Sequence, residues 1–358
     1  MSRSDKSSST SARSSQPIYI AGAIWSFLAA MYFLTQSSPD PSQTYLAVTA
    51  FFEIVGFFAA SALCWRNVLG SNSVSGKDVW LGLGIGLACY CIGSFLFGYW
   101  EVVLGQSPDV SLGDLFYVPA YLFLIYGMVM AVIKRQLNLE PLQWAMVMVV
   151  GVLGIVFAIF VSSARKDAPS TSLNSNFFEA PAIAQAAPTT KPSPVVAEPS
   201  IKPTPQIGST PRIKPTPQIS STPQAAPSTL KVPAPVAEPP ANTMPEWASK
   251  IDNFLRPYKS AINWIYVASD VCLVVIATAL LTAFWGGRAS QSWRMIAFAA
   301  FSLYIADMSV KYASLVNPNY SSGGLLEVFF VFAAVLFGVG ATLEYDLSHS
   351  RRSSRRRT

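Results

Sequence analysis

Charged residues are scarce in this chain. Asp, Glu, Lys and Arg make up 12% of its 358 residues, whereas they make up about a quarter of an ordinary soluble domain. Hydrophobic residues make up 51%. This imbalance excludes an ordinary soluble domain and is typical of a membrane protein.

Histidine and cysteine are also rare. The one histidine, His349, lies among arginines near the C-terminus, and the apolar segments contain no Ser/His/Asp set, HExxH motif, Walker loop or zinc-ligand spacing. The four cysteines all lie within apolar segments, where packing is their expected role. We therefore predict no enzyme activity, no catalytic residue, no metal site and no cofactor.

Eight apolar stretches of roughly 17 to 25 residues are long enough to cross a hydrocarbon core about 30 Å thick. The predicted fold is therefore an all-α polytopic membrane helix bundle of about eight spans. The first stretch is longer than the apolar part of a signal peptide, so we predict an uncleaved span. The stretches cover residues 17–35, 44–65, 79–99, 112–133, 142–161, 261–284, 292–313 and 325–343.

The basic residues predict an orientation. The short loops after the first, third and seventh stretches contain one basic residue, Lys311, whereas those after the second, fourth and sixth contain six. Together with the basic tails, this asymmetry predicts a multi-pass cell-membrane protein with both termini in the cytoplasm. The net charge of +6 thus follows from topology, and we predict no nucleic-acid partner. The six loop residues are Arg66, Lys77, Lys134, Arg135, Arg288 and Arg294.

Residues 162–245 differ sharply from the spans. They are rich in Pro, Ser and Thr, and IKPTPQIGSTPR is followed at once by the similar IKPTPQISSTPQ. Such a segment lacks the apolar surface that would offset its ordering entropy, so we predict a disordered extracytoplasmic insert. Two interpretations are open. The insert contacts cell wall or carries glycans on Ser and Thr, or it is an insertion without a function of its own that the fold tolerates.

The insert divides the chain into two membrane regions. The prediction places five spans in residues 17–161 and three in residues 261–343, with basic cytoplasmic tails at 1–16 and 344–358. Residues 246–260 have apolar side chains at helical spacing, which predicts an amphipathic helix in the outer interface. A simple lead into the sixth span is the alternative.

Acidic residues within the spans are the main candidates for a functional site, because a membrane carboxylate is costly and usually faces protein or water. The alternating directions of the spans and a rise of about 1.5 Å per residue put five acids in the middle or outer half. With one lysine, they predict an outward-facing ligand site. These candidates are Glu53, Asp114, Asp270, Asp307, Lys311 and Glu327, with hydroxyls and rings from Tyr90, Tyr117, Tyr121, Tyr266 and Tyr304.

A structural role is the alternative for each candidate. Asp114 and Glu327 begin helices, where the helix dipole favours a carboxylate. Glu53 and Asp270 could instead join helices through hydrogen bonds. Lys311 follows Asp307 by four residues, which is a favourable spacing for an ion pair on one helix.

Two further patterns concern packing and lipid contact. Gly82, Gly86 and Gly93 form a small-residue stripe that predicts close helix packing. The basic tail predicts contact with anionic lipid headgroups or a partner, although it could serve only as a topology anchor. Its arginines are Arg351, Arg352, Arg355, Arg356 and Arg357.

The third and fourth spans are similar to the seventh and eighth. Each pair begins with a tryptophan, Trp80 or Trp293, and continues through a proline-containing turn to an acid at the start of the next helix. Those acids are Asp114 in LGDLFYV and Glu327 in LLEVFFV. The pattern favours a parallel internal repeat.

Three segments carry a resemblance to a known type of module: SPDVSLGDLFYVPAYLFLIYGM, YVASDVCLVVIATALL and YIADMSVKYASLVNPNYSSGGLLEVFFVFAAVLFGVGA. They resemble the multi-span sensory input region found ahead of some bacterial diguanylate cyclases and histidine kinases. No GGDEF, EAL or kinase sequence follows the last span. The resemblance implies an input module that needs a separate output partner.

The leading hypothesis is a non-enzymatic sensory input or scaffold module in the membrane. It would contact lipids and a protein partner in the membrane or cytoplasm, and its insert could contact the cell wall. One alternative is a secondary transporter coupled to protons or cations, for which membrane carboxylates are also expected. Another is an envelope tether that acts through the insert.

Overall fold

The computed structural model describes residues 4–36, 41–70, 75–105, 110–135, 140–163, 245–284, 290–317 and 320–355. These residues form nine α-helices and contain no β-strand, as the all-α prediction requires. Most of the predicted insert, residues 164–244, lies outside the described residues. The helices are α1 (Ser4–Phe33), α2 (Gln43–Leu69), α3 (Lys77–Val102), α4 (Asp114–Arg135), α5 (Pro141–Ser163), α6 (Glu246–Leu255), α7 (Lys259–Ala283), α8 (Ser290–Val316) and α9 (Val328–Arg355).

Eight helical segments in the described part of the chain are long and apolar enough to cross a membrane. Helices α6 and α7 together count as one of them, joined by a 3₁₀ turn at Arg256–Tyr258. This turn contains Pro257, which cannot donate a backbone hydrogen bond and so interrupts the helix. Helix α9 continues past residue 343, where the last span was predicted to end, as far as Arg355.

The short helix α6 packs against the end of α3. Ala248 is buried in a small cluster with Trp100 and Leu104, and the ring of Trp247 lies 5.3 Å from that of Trp100. Phe254 remains 69% exposed. A helix is therefore present where the spacing predicted one, and its amphipathic role in a membrane interface stays a prediction.

Six helices form a closed ring. Helices α2, α3, α4, α7, α8 and α9 each pack against the next, and α9 packs back against α2. Outside the ring, α1 packs against α9 and α5 against α7. Each side of the insert thus supplies three consecutive helices to one bundle.

The packing of α4 on α3 corresponds to the packing of α9 on α8. A Cβ atom added to Gly127 would lie 2.9 Å from the Val79 carbonyl oxygen, and one added to Gly340 would lie 3.1 Å from the Ser292 carbonyl oxygen. Both glycines therefore allow two helices to approach closely. The contacting residues correspond at one constant sequence interval: Val79 with Ser292, Leu83 with Ile296, and Gly127 with Gly340.

The same interval separates the two tryptophans that the sequence pairs. Trp80 and Trp293 are both fully buried, and their ring centroids are 6.2 Å apart. The predicted glycine stripe also packs α3 against α4, since a Cβ on Gly82 would lie 2.9 Å from the Gly127 Cα atom. These contacts agree with a parallel internal repeat.

The two ends of the bundle carry different residues. We call one the basic end, since it contains Arg66, Lys77 and Lys134 at the ends of their helices. Lys134 forms an ion pair of 2.5 Å with Asp78 there. We call the other the acidic end, where Glu101, Asp114 and Glu327 lie at or near helix ends.

Candidate functional site

At the acidic end, Asp114 begins α4 and also connects it to α7. The Ser111 backbone N–H donates to the Asp114 carboxylate at 2.6 Å. The Tyr266 hydroxyl, from α7, donates to the other carboxylate oxygen. Asp114 therefore caps its own helix and holds the two halves of the ring together.

Glu327 has the corresponding position before α9. It accepts hydrogen bonds of 2.9 Å from the backbone N–H groups of both Gly323 and Gly324. The Tyr320 hydroxyl donates to it as well. These three donors fix the turn that precedes α9, in which Gly323 has a φ of +101°.

A third carboxylate at this end, Glu101, was missed among the sequence candidates. It is 5% exposed and accepts a hydrogen bond of 3.0 Å from the Ser322 backbone N–H. The Tyr45 hydroxyl, from α2, donates to the Gly323 carbonyl at 3.0 Å. The turn at residues 320–324 is thus held by two helices, α2 and α3, in addition to Glu327. Glu101 was missed because it lies just beyond the predicted third span.

Deeper in the ring lies a group of polar side chains that we call the central cluster: Asp270, Asp307 and Tyr121. Asp270 is 1% exposed, and neither of its carboxylate oxygens has a hydrogen-bond partner among the described residues. Tyr121 donates to Asp307. Both side chains lie beside Asp270, so a small movement of Tyr121, or a proton on Asp307, would let that side chain hydrogen-bond to Asp270. The three side chains come from α7, α8 and α4.

Glu53 and Lys311 lie around the central cluster. Glu53, from α2, interacts electrostatically with Asp307 and, at the acidic end, with Glu101 and Glu327. The Lys311 ammonium group donates instead to the Asn263 carbonyl at 3.4 Å. Within the described part of the chain no ion pair joins Lys311 to Asp307, so the pairing expected from their spacing is not formed. Lys311 still interacts electrostatically with both central aspartates.

The tyrosine candidates lie in three places. The Tyr90 ring lies 4.9 Å from that of Tyr117 and 6.3 Å from that of Tyr121, beside the central cluster. The Tyr266 hydroxyl donates to Asp114 at the acidic end. Tyr304 lies apart, because its hydroxyl donates at 3.0 Å to the Gly154 carbonyl and so attaches α5 to the bundle.

The central cluster is chemically suited to a cation. Burying an ionised carboxylate without hydrogen-bond donors costs several kcal/mol, and a second carboxyl group nearby adds repulsion. A bound cation removes both costs, and tyrosine ring faces can contribute cation–π attraction. In the part of the chain that the structure describes, no group of three or more His, Cys, Asp and Glu side chains is arranged as a metal site.

The C-terminal arginines, for which lipid or partner contact was predicted, are described only in part. Arg351, Arg352 and Arg355 belong to the last turns of α9, but their side chains are not among those described. Arg356 and Arg357 lie outside the described residues. Lipid or partner contact by these five arginines stays a prediction.

No protein-family model, curated protein or solved structure matches this chain. The resemblance to bacterial sensory input modules therefore also stays a prediction, and the candidate site rests on the geometry of the ring.

Proposed function

We propose that this protein is a non-enzymatic sensory input or scaffold module of the membrane that binds a small cation at the central cluster. The observation that carries the proposal is the burial of both Asp270 oxygens without a partner inside the ring. Such a group lowers the stability of the folded protein. A membrane carboxylate of this kind is therefore by default a functional candidate.

The ring gives the bound cation a way to act on the rest of the molecule. Asp270 belongs to α7 and Asp307 to α8, while Tyr121 belongs to α4, so a ligand among them touches both halves of the ring. Occupancy would change the packing between the halves. With both termini in the cytoplasm, as the positive-inside rule predicts, the change reaches the basic end, where a partner would bind.

Distance measurement between spin labels tests the proposal on the full chain in lipid nanodiscs. Ile133 on α4 and Gln291 on α8 are exposed positions at the basic end that accept labels as Ile133→Cys and Gln291→Cys, after the native cysteines are replaced by alanine. Sodium or tetramethylammonium chloride is compared with N-methylglucamine chloride at equal ionic strength. We expect the distance distribution to shift with the cation and to stay unchanged when Asp270→Asn is added.

The exposed residue Glu140 provides a matched control. It lies at the basic end before α5, so Glu140→Gln removes one carboxylate without touching the ring. We expect the cation response to survive in this variant. A distribution that ignores both cations in the wild type, or a response that Asp270→Asn leaves intact, would refute the proposed function.

A cation-coupled transporter is the second candidate, and the repeat geometry favours it. Parallel repeats related by an axis along the membrane normal occur in transporters, which place substrates near the interface between the repeats. The central cluster lies where the two halves of the ring meet. Uptake of radioactive sodium into proteoliposomes, lost in Asp270→Asn, would identify transport, whereas cation binding without uptake would support the sensory module.

A further inference from the structure

A second site lies at the basic end, far from the central cluster. A groove runs between the last turn of α2 and the adjacent part of α9. Trp65, Arg66 and Leu69 line it on one side, and Tyr345 and His349 on the other. Its volume of about 620 Å³ falls within the range of about 300 to 1,000 Å³ usual for small-ligand sites.

The guanidinium of Arg66 lacks an anionic partner in this groove. Its central carbon lies 4.0 Å from the centroid of the Tyr345 ring. Its Nε and Nη2 atoms are buried and have no hydrogen-bond partner among the described residues. The nearby Asp346 carboxylate instead accepts hydrogen bonds from Ser15 and Tyr19, at 2.5 and 3.0 Å.

This arrangement leaves a cation fixed in position and ready for an anion. The aromatic ring orients the guanidinium plane, and the two unpaired nitrogens belong to a group that binds phosphate or carboxylate through parallel hydrogen bonds. Two buried donors without an acceptor are costly. An anion in the groove would reach the guanidinium at its remaining nitrogen, Nη1, which is not among these buried atoms, and would balance its charge.

The outer surface of α2 indicates where that anion comes from. Phe51, Phe58, Trp65 and Leu69 are exposed at 55%, 67%, 38% and 80%, and their spacing of seven, seven and four residues puts them on one helix face. This apolar stripe runs along a membrane span and ends in the groove.

The depth of Arg66 fits a lipid headgroup. With 27 residues, α2 is about 40 Å long, which exceeds the hydrocarbon core of about 30 Å. Arg66 lies in the last turn of this helix. Its side chain is therefore at the level where phosphates of one leaflet occur.

We propose that this groove binds the headgroup of an anionic phospholipid, with its phosphodiester on Arg66 and its acyl chains along the part of the stripe between Leu69 and Phe58. The stripe distinguishes a lipid from a soluble phosphate, because free phosphate gains nothing from apolar surface. This site is separate from the predicted contact of the arginine tail, and it does not depend on the proposed function.

Native mass spectrometry of the full chain in detergent tests the proposal. Dioleoyl phosphatidylglycerol is titrated against dioleoyl phosphatidylcholine, which has the same acyl chains and no net charge. We expect Arg66→Gln to weaken phosphatidylglycerol binding about tenfold, as the loss of a charged hydrogen-bonding group predicts. Lys77→Gln, which removes an exposed charge at the same end, should leave binding unchanged. Equal binding by wild type and Arg66→Gln would overturn the proposal.

A second variant keeps the test decisive if Arg66→Gln does not fold. Leu69→Asn changes a side chain that is 80% exposed, so the core is unaffected. We expect it to weaken phosphatidylglycerol binding severalfold. Unchanged binding in this variant would overturn the proposal.

Two further experiments distinguish a lipid in the groove from a soluble anion and from lipid bound by the arginine tail. Inorganic phosphate at millimolar concentration should fail to displace the lipid, and displacement would show a soluble-anion site instead. Deletion of residues 351–358 should leave the Arg66-dependent part of binding in place. Complete loss of binding with the tail would assign lipid recognition to the tail and overturn the groove.

Discussion

At the residue scale, Asp270 is the clearest case in the ring of a polar side chain that is buried without a hydrogen-bond partner. Its near neighbours, Asp307 and Tyr121, hydrogen-bond to each other, and both Asp270 oxygens are buried without a partner among the described residues. We interpret the conflict as stability given up for a binding site, because buried unpaired charges are costly to fold.

This interpretation predicts that Asp270→Asn stabilises the protein when no ligand cation is present. The amide of the variant carries no charge and can donate to Asp307. The free energy of unfolding should rise by about 1 kcal/mol or more, measured by denaturant or thermal unfolding in nanodiscs with N-methylglucamine as the only added cation. A clear loss of stability would show that the carboxylate is structural.

Glu327 should behave in the opposite way. It accepts hydrogen bonds from the Gly323 and Gly324 backbone and from Tyr320. Glu327→Ala leaves these donors without an acceptor and should cost about 2 kcal/mol or more of unfolding free energy. Glu140→Ala, at an exposed position, should cost much less in the same assay. Equal effects of the two substitutions would mean that Glu327 does not hold the turn.

At the element scale, the two glycine contacts explain how α3 with α4 and α8 with α9 pack alike. Gly127 and Gly340 approach the backbone of the neighbouring helix. A methyl group added to Gly127 would meet backbone atoms of Val79 and Leu83, and one added to Gly340 would meet Ile296 Cγ1 and the Ser292 carbonyl oxygen. In a packed interior such contacts force side chains or backbone to shift.

We therefore predict that Gly127→Ala and Gly340→Ala each destabilise the bundle by about 1 to 3 kcal/mol. Gly154→Ala is the matched control, since the nearest atom to its added Cβ, the Tyr304 hydroxyl oxygen, is 3.8 Å away. Thermal unfolding in nanodiscs measures all three. If Gly127→Ala is as harmless as the control, the close crossing of α3 and α4 does not occur.

Sequence predicted the elements better than the contacts between them. Periodicity and length gave the spans, and the helix-start positions of Asp114 and Glu327 gave their capping roles. Glu101 was missed, and the expected pairing of Lys311 with Asp307 is not formed. Both contacts depend on distant segments, since Glu101 accepts from Ser322 and Lys311 donates to Asn263. The sequence of a single helix therefore predicts neither contact.

The central cluster shows the same limit. Depth along each span predicted a similar level for Glu53, Asp270 and Asp307, because depth follows from helix rise. It did not separate the two aspartates that lie beside Tyr121 from Glu53, which lies around them. That separation follows from the order of helices around the ring, which depends on tertiary packing.

At the scale of the whole molecule, the ring joins segments that lie on both sides of the insert. Helix α2 packs against α9, and α4 packs against α7. We predict that residues 1–170 and 242–358, co-expressed as two chains, co-purify from membranes. Recovery of only the tagged fragment would contradict the closed ring. Gly340→Leu in the second fragment should reduce the amount that co-purifies. The matched control, Phe298→Leu at an exposed position on α8, should reduce it less.

The measurement that tests the central claim most directly is cation-dependent stability. The full chain in phosphatidylcholine nanodiscs is titrated with sodium or tetramethylammonium chloride against N-methylglucamine chloride at constant ionic strength, and the thermal midpoint is recorded. Binding to the folded state alone should raise stability by about 2.7 kcal/mol at a hundred times the dissociation constant. We expect wild type and Glu140→Gln to show this rise and Asp270→Asn to lack it. A midpoint that neither cation changes, or one that rises equally in Asp270→Asn, would contradict a cation site at the central cluster.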